Sequence, residues 1–238
     1  MNTIFNLSLK SAAREPFLLF WSILLPIGGM LILGSLVGNI DYSIRITTGM
    51  MAMGILFYSF TTTVFSLLSQ RRRGVYQLLK VTPMPLSRYV ISVSGAWTLV
   101  SMICAMLVLF VGTAFFHLDL RILNVIKMGI ICMLGAIGYI FLSFFVSGLC
   151  KTDAQTSIVS NLITMPLLLG SDAFYSLDAT PAWVKMIILV NPYQWLLNGL
   201  RSGLLGNNRD WLISVMVLSA FLGISLFLAV KSLKVVEN

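Results

Sequence analysis

Six long stretches of this sequence contain no Asp, Glu, Lys or Arg. They lie between Glu15 and Asp41, Arg45 and Arg71, Arg88 and Asp119, Lys127 and Lys151, Asp153 and Asp172, and Asp210 and Lys231. Each has 18 or more residues, and about 20 helical residues cross the roughly 30 Å of membrane hydrocarbon. None alternates apolar and polar residues as membrane-barrel strands do. We therefore predict six helical spans near 17–37, 48–69, 90–115, 125–149, 155–172 and 211–230.

The composition agrees with a chain that lies almost entirely in a membrane. Charged residues make up 10% and hydrophobic residues 58% of the chain, whereas a soluble domain has roughly 25% charged residues. The segments between the predicted spans are too short to form a soluble domain of their own. We therefore expect residues 1–238 to form one all-α transmembrane domain in contact with the lipid bilayer.

The basic residues predict an orientation. With six spans both termini lie on one side, and that side carries ten Lys and Arg residues against six on the other. The cluster at residues 71–73 contributes most to this difference. Because cytoplasmic segments carry the excess of Lys and Arg, we predict a multi-pass plasma-membrane protein with both termini cytoplasmic. The net charge of +8 is then topological, and no nucleic-acid partner is expected.

Residues 1–15 precede the first predicted span and are too polar for a signal peptide. Their apolar side chains fall on one face of a short helix: Ile4, Phe5, Leu7, Leu9, Ala12 and Ala13. A helix of this kind lies in the plane of the membrane interface. We predict an N-terminal interfacial helix on the cytoplasmic side.

The outer segment 173–210 contains a further charge-free run, Met186–Leu200. Its 15 residues would extend only about 22 Å as a helix, which is too short to cross the hydrocarbon. Pro192 also disfavours helical geometry in the residue before it, Asn191. We therefore predict a re-entrant or interfacial helical segment, which either caps an exit path or anchors the chain at the membrane surface.

No motif in the sequence supplies chemistry of its own. There is no G-x-x-x-x-G-K-[ST] loop for nucleotide phosphates, no H-E-x-x-H and no G-x-S-x-G. The centres of the predicted spans lack the carboxylates that ion-coupled transporters use. The cysteines and the one histidine show no metal-ligand spacing. The chain is therefore expected to be no enzyme and to bind no cofactor or metal, and it is either passive or energised by a partner.

The one sizeable loop on the predicted cytoplasmic side covers residues 70–89. After three arginines, Val75, Leu78 and Leu79 share one face of a short helix by their i, i+3, i+4 spacing. Pro83 ends this helix. An exposed apolar face of this kind predicts a protein partner; docking onto lipid headgroups beside the arginines is the alternative.

This loop is similar to the loop before the third span of ABC-2 type permeases, the membrane subunits of type V ABC exporters. The residues that carry the resemblance in the loop are Arg73, Gly74, Val75, Leu78, Leu79, Thr82 and Pro83. In the outer segment they are Asn191, Pro192 and Arg201. The order of spans, amphipathic N-terminal segment and helical insertion also matches. The arginine triplet departs from the family, because many members carry a Glu before the glycine.

The resemblance implies a homo- or heterodimer of permease subunits, in which each subunit carries a separate ABC ATPase that binds ATP and Mg. Residues 74–81 would form the coupling helix. Its expected docking residues and charged rim contacts are Val75, Leu78, Leu79, Arg73 and Lys80. The expected substrate is an exported drug, antibiotic peptide or other amphipathic molecule, which would make the exporter a resistance protein. A lipid-linked polysaccharide is the alternative within the family, and a passive channel or scaffold is the alternative of another class.

Overall fold

The structure, a computed structural model, describes residues 2–13, 16–37, 39–75, 77–78, 86–118, 120–173, 186 and 188–237. These residues are helical apart from short connections, and they contain no strand. The elements are α1 Asn2–Ala13, α2 Pro16–Val37, α3 Ile40–Leu56, α4 Thr63–Arg72, α5 Leu86–Phe116, α6 Ile122–Leu149, α7 Asp153–Leu169, α8 Pro192–Leu205 and α9 Asn208–Glu237. A π-helical segment, Phe57–Thr62, joins α3 to α4 without a break.

Four helices of the described part are long and apolar enough to cross a membrane: Ile40–Arg72, Arg88–Phe116, Ile122–Leu149 and Asn208–Ser232. They coincide with the second, third, fourth and sixth predicted spans. The first predicted span lies in α2, where the described apolar stretch is the shorter Ile23–Leu36. The fifth corresponds to α7, whose 17 residues end at Leu169. The structure thus supports a helical membrane protein with four clear candidate spans.

Helix α6 lies at the centre of the bundle and packs against α9, α8, α5 and α4. Its glycines permit the closest of these approaches. A Cβ at Gly138 would lie 2.8 Å from the ring of Phe221 in α9, and one at Gly135 would lie 2.7 Å from Leu196 in α8. Both distances are shorter than any real carbon contact. Small residues at these positions therefore bring the helix backbones together, as in other membrane bundles.

The π-helical segment lies in the middle of the long helix Ile40–Arg72 and packs against both α6 and α5. The hydroxyl of Ser59 donates a hydrogen bond of 2.8 Å to the hydroxyl of Ser101, and the ring of Tyr58 lies 5.5 Å from that of Trp97. These side chains are fully or almost fully buried. Widened turns of this type are rare and recur at functional positions of helices. No residue pattern in the sequence predicted this π-helical segment.

The predicted N-terminal helix is present as α1, which packs along α5. A Cβ at Gly95 would lie 3.5 Å from the ring of Phe5, and Leu9 packs against a buried apolar cluster of α5 and α6. Leu7 is exposed. Helix α1 therefore has one face against the bundle and one face away from it.

The bundle has two polar ends, which are named here after Arg71 and Arg201. At the Arg71 end, the last residues of α4 and α6 meet the first residues of α5 and α7. At the Arg201 end, the first turns of α3 meet α8 and the residues that follow α7.

Candidate functional site

Arg71 attaches the end of α4 to the end of α6. Its Nη1 atom lies 3.2 Å from the carbonyl oxygen of Ser147 and 3.1 Å from that of Gly148, with Cys150 O further away at 3.5 Å. The last carbonyls of a helix lack partners within it, and a cation beside them is favourable. Arg71 thus completes the hydrogen bonding of the α6 terminus and fixes the position where the loop begins.

Arg72 makes a second connection, to the start of α7. Its Nη1 lies 2.6 Å from Asp153 Oδ2, and Nη2 donates to the carbonyl of Lys151 at 3.2 Å. The two side chains are 43% and 67% exposed, so the ion pair adds little stability. Arg73 is exposed, and its side chain forms no hydrogen bond or ion pair with another described residue. Of the three arginines, Arg73 is therefore the one left for an external partner.

Gly74 ends α4 with a φ of +74°, a conformation in which a residue with a Cβ is strained. Its amide donates to Arg71 O, and its carbonyl accepts from the amide of Leu78 at 3.0 Å, which starts a new helical turn. Val75 on this turn is half-buried against an apolar cluster of the bundle, whereas Leu78 is 63% exposed. Predicted contacts Leu79, Lys80, Thr82 and Pro83 lie outside the described residues.

Asn191 begins α8 and ties it to the end of α7. Its Oδ1 accepts from the amide of Tyr193 at 2.9 Å, which caps the helix, and Pro192 occupies the first helical position. Its Nδ2 donates to the carbonyls of Leu167 and Gly170, each at 2.8 Å. The Asn-Pro pair singled out in the sequence is therefore a helix start whose side chain also satisfies the terminus of α7.

Helix α8 runs antiparallel to α6 at close range. A Cβ at Gly199 would lie 2.6 Å from Ile131 Cδ1, and one at Gly203 would lie 3.2 Å from Met128. Leu196, nearer the start of α8, faces Gly135 of α6. Gly135 is 13 residues after the start of α6, a distance of about 20 Å along the helix. The start of α8 therefore lies near the middle of the bundle and its end near the Arg201 end.

Arg201 and Asp172 form the second ion pair among the described residues. Arg201 Nη1 lies 2.6 Å from Asp172 Oδ2, and Nη2 donates to the Asp172 carbonyl at 2.9 Å. Gln194 Nε2 donates to the other carboxylate oxygen at 2.8 Å. Arg201 Nε also lies 3.4 Å from Thr48 Oγ1 of α3. Arg201, chosen from the sequence alone, thus joins α8 to α3 and to the residues after α7.

Burial lowers the pKa of Arg201 from its ordinary value, the carboxylate of Asp172 acts in the opposite direction, and the positive charge of Arg45 lowers it further. The hydroxyl of Tyr193 in α8 donates to Gly49 O of α3 at 3.3 Å. A Cβ at Gly49 would lie 2.7 Å from Ala173 O. Helix α3 therefore makes a polar contact with α8 and a close backbone contact with the residues that follow α7.

An apolar groove of about 810 Å³ lies between α5 and α6. Three methionines contribute to its walls: Met102, Met106 and Met133. Two hydroxyls on its α5 wall, those of Ser94 and Thr98, are buried without a hydrogen-bond partner. Flexible methionine side chains suit ligands of varied shape. Among the described residues, no group of three or more His, Cys, Asp or Glu side chains is placed to hold a metal ion.

The fold and the two polar ends define a class of protein: a helical membrane protein with a short loop helix at one end and a capped half-length helix at the other. The family model of the ABC-2 type transporter matches residues 1–205, and the chain belongs to that family. It is therefore a membrane permease domain, as the sequence resemblance predicted. The match includes the loop after α4 and all of α8. A search of the curated proteins found no match.

Proposed function

We propose that this chain is the permease subunit of an ATP-driven exporter, with the Arg71 end facing the cytoplasm and a separate ATPase docked on the loop. The observation that carries the proposal is the loop itself: within the matched family region, Gly74 starts a helical turn that leaves Leu78 63% exposed. An exposed leucine on a polar, positively charged end is suited to a protein partner. ATP and Mg belong to that partner.

The attachment of the loop supports a role in transmitting force. Arg71 holds the end of α4 against α6, and Arg72 holds it against the start of α7. Val75 packs the loop against the bundle, while Arg73 and Leu78 face outward. A displacement of the loop would therefore move the ends of three helices together. Lys80, Thr82 and Pro83 remain proposed contacts from the sequence.

We also propose six spans, with α2 and α7 as the first and fifth, and with α1 as the cytoplasmic interfacial helix. Helix α8 is then a re-entrant helix, because its start lies about 20 Å along α6 and its 14 residues are too few to span the bilayer. A second permease subunit completes the transporter. One face of α7 is available to it or to lipid: Ile158, Leu162 and Met165 are exposed.

The proposed substrate is a drug, an antibiotic peptide or another amphipathic molecule, and the methionine-lined groove between α5 and α6 favours a largely apolar one. Export of a lipid-linked polysaccharide is the second candidate within the family. Transport of candidate compounds into inverted vesicles with the partner ATPase would separate the two.

The substitution Leu78→Asp tests the coupling. It places a charge on the exposed apolar contact, so we expect the ATPase to be lost from pull-downs of the permease and ATP-dependent export to cease. The matched control is Leu205→Asp, which is 67% exposed at the opposite end and should keep the ATPase bound. Both variants should insert into the membrane. Normal export and ATPase binding by Leu78→Asp would refute the proposed docking site.

The alternative class, a passive channel or scaffold, makes a different prediction for the unmodified protein. An exporter subunit brings down an ATPase with a phosphate-binding loop, and a scaffold does not. A reporter fused after Asn238 tests the orientation, because it should be active on the cytoplasmic side. Activity on the outer side would require an odd number of spans.

A further inference from the structure

Arg45 is a half-buried cation, and one of its guanidinium nitrogens has no hydrogen-bond partner. It lies in the second turn of α3, its Nη1 atom is shielded from solvent, and its guanidinium makes no hydrogen bond or ion pair with another described residue. Asp41, one turn earlier, is exposed and does not pair with it. A donor that is shielded from water and lacks an acceptor costs free energy, and an anion beside a partly buried cation recovers that cost. Arg45 Nη1 is such a donor, and the described residues supply no acceptor for it.

The surroundings of Arg45 add to the positive charge. Thr48 follows Arg45 by three residues on the same face of α3, and its hydroxyl lies 3.4 Å from Arg201 Nε. Asp172 is the only carboxylate that contacts this group in the described part of the chain, and Arg201 and Gln194 already occupy its two oxygens. Asp172 therefore neutralises Arg201 and leaves Arg45 without a carboxylate, so the group carries a net charge of about +1. The Thr48 hydroxyl accepts from Arg201 and donates to the carbonyls of Ile44 and Arg45, which leaves the guanidinium of Arg45 as the available donor.

The depth of Arg45 indicates which anions can reach it. It is five residues after the start of α3 at Ile40, or about 8 Å along the helix, and it precedes the predicted hydrocarbon span at 48–69. This is the level of the lipid headgroups. The planar fork of a guanidinium matches the oxygens of a phosphate group, which it binds with two hydrogen bonds.

We propose that Arg45, with Thr48 and Arg201 beside it, forms a binding site for a phosphate group at the Arg201 end of the bundle. The phosphate is supplied either by a lipid headgroup or by a free phosphate-bearing anion. Phosphate binding at this site requires neither ATP nor a transported substrate, so its test does not depend on the proposed exporter function.

Thermal unfolding of the purified chain in neutral detergent, followed by tryptophan fluorescence, tests the site. The probes are inorganic phosphate, dihexanoyl-phosphatidylglycerol and, as the uncharged control, dihexanoylglycerol. The variants are Arg45→Gln, Arg45→Lys and the control Arg121→Gln, which changes an exposed arginine elsewhere on the chain. We expect phosphate or the phospholipid to raise the unfolding temperature of the unmodified chain and of Arg121→Gln.

Arg45→Gln should bind the effective probe at least about tenfold more weakly, the loss expected for one charge-assisted interaction, and Arg45→Lys should lose less. Without any probe, Arg45→Gln should be at least as stable as the unmodified chain, because it removes a partly buried charge that has no ion-pair partner. A shift with inorganic phosphate identifies a free anion as sufficient, and a shift with the phospholipid alone identifies the headgroup. Three results would each overturn the proposal. They are an equal shift in unfolding temperature for Arg45→Gln and the unmodified chain, a shift with dihexanoylglycerol as large as that with the phosphate probes, and no shift with either phosphate probe.

Discussion

Asn191 offers the sharpest test of how α8 is held in the bundle. The side chain is 6% exposed and makes three hydrogen bonds, two as a donor to Leu167 O and Gly170 O and one as an acceptor from Tyr193 N. Replacement by alanine removes all three. Two other substitutions separate the donor and acceptor roles of this side chain. Serine or aspartate at position 191 still offers an oxygen to the amide of Tyr193, but neither has the amide group that donates to Leu167 O and Gly170 O.

The number of hydrogen bonds at Asn191 determines how much free energy of unfolding each substitution should remove. Hydrogen bonds between helices in membrane proteins average about 0.6 kcal/mol, and those in proteins generally about 1 kcal/mol. Three of them therefore predict that Asn191→Ala lowers the free energy of unfolding by roughly 2–3 kcal/mol. Asn191→Ser should recover about 1 kcal/mol of this through the cap. Asn191→Asp should be at least as unstable as Asn191→Ala, because its charge faces the two carbonyl oxygens.

Unfolding in mixed micelles with increasing dodecyl sulfate, followed by circular dichroism, measures these differences. Asn6→Ala is the control, because Asn6 is exposed on α1 and its side chain forms no hydrogen bond with a described residue. It should be within about 0.5 kcal/mol of the unmodified chain, as for most surface substitutions. An Asn191→Asp variant as stable as the unmodified chain would refute the assigned donor contacts.

Two further substitutions test the contacts of α8 by the same unfolding measurement. Gly199→Ala places a Cβ 2.6 Å from Ile131 Cδ1 and should lower the free energy of unfolding by about 1–3 kcal/mol. The control Gly223→Ala has open space around the new Cβ and should leave the free energy of unfolding unchanged. Equal effects of the two substitutions would contradict the close packing of α8 on α6. Asp172→Asn leaves Arg201 without its carboxylate and should lower the free energy of unfolding by about 3 kcal/mol. This is the lower end of the range for breaking a buried ion pair, because both side chains keep some exposure. Arg201→Gln added to Asp172→Asn should restore part of that loss, and no restoration would show that the two do not act as a pair.

The sequence predicted the features that depend on neighbouring residues. Charge-free runs of membrane length identify helices because hydrocarbon excludes charge over the whole run. The interruption before α8 followed from Asn191-Pro192, since proline restricts the residue that precedes it, and α8 indeed begins at Pro192. The second span was predicted to end near residue 69, and α4 ends close by at Arg72. Local chemistry was sufficient for each of these.

The features that the sequence did not predict depend on residues far apart in the chain. Arg71 binds carbonyls 76 and 77 positions away, and Arg201 pairs with Asp172 across 29 positions. Counting charges assigned Arg71 only to a basic cluster that sets orientation. Its hydrogen bonds to the last carbonyls of α6 depend on where that helix ends in the folded bundle, and residue spacing does not predict that position. The π-helical segment at Phe57–Thr62 is similar, because its buried side chains contact residues far along the chain, such as Trp97 and Ser101 of α5.

The contacts of α7 determine how the two ends of the molecule can be connected. Its first residue, Asp153, pairs with Arg72 beside the proposed docking loop, and the residues after its end bind Asn191 and Arg201. Between these ends α7 buries Thr156, Ser160, Thr164 and Leu168, and it packs three partly buried apolar side chains against the core: Val159, Ile163 and Leu167. The small polar side chains let α7 lie close to its neighbours, and the apolar ones hold it along its length. Because α7 is a single helix held at both ends, we expect a displacement of the loop to move it as a rigid body and to reach the start of α8 with both terminal contacts kept.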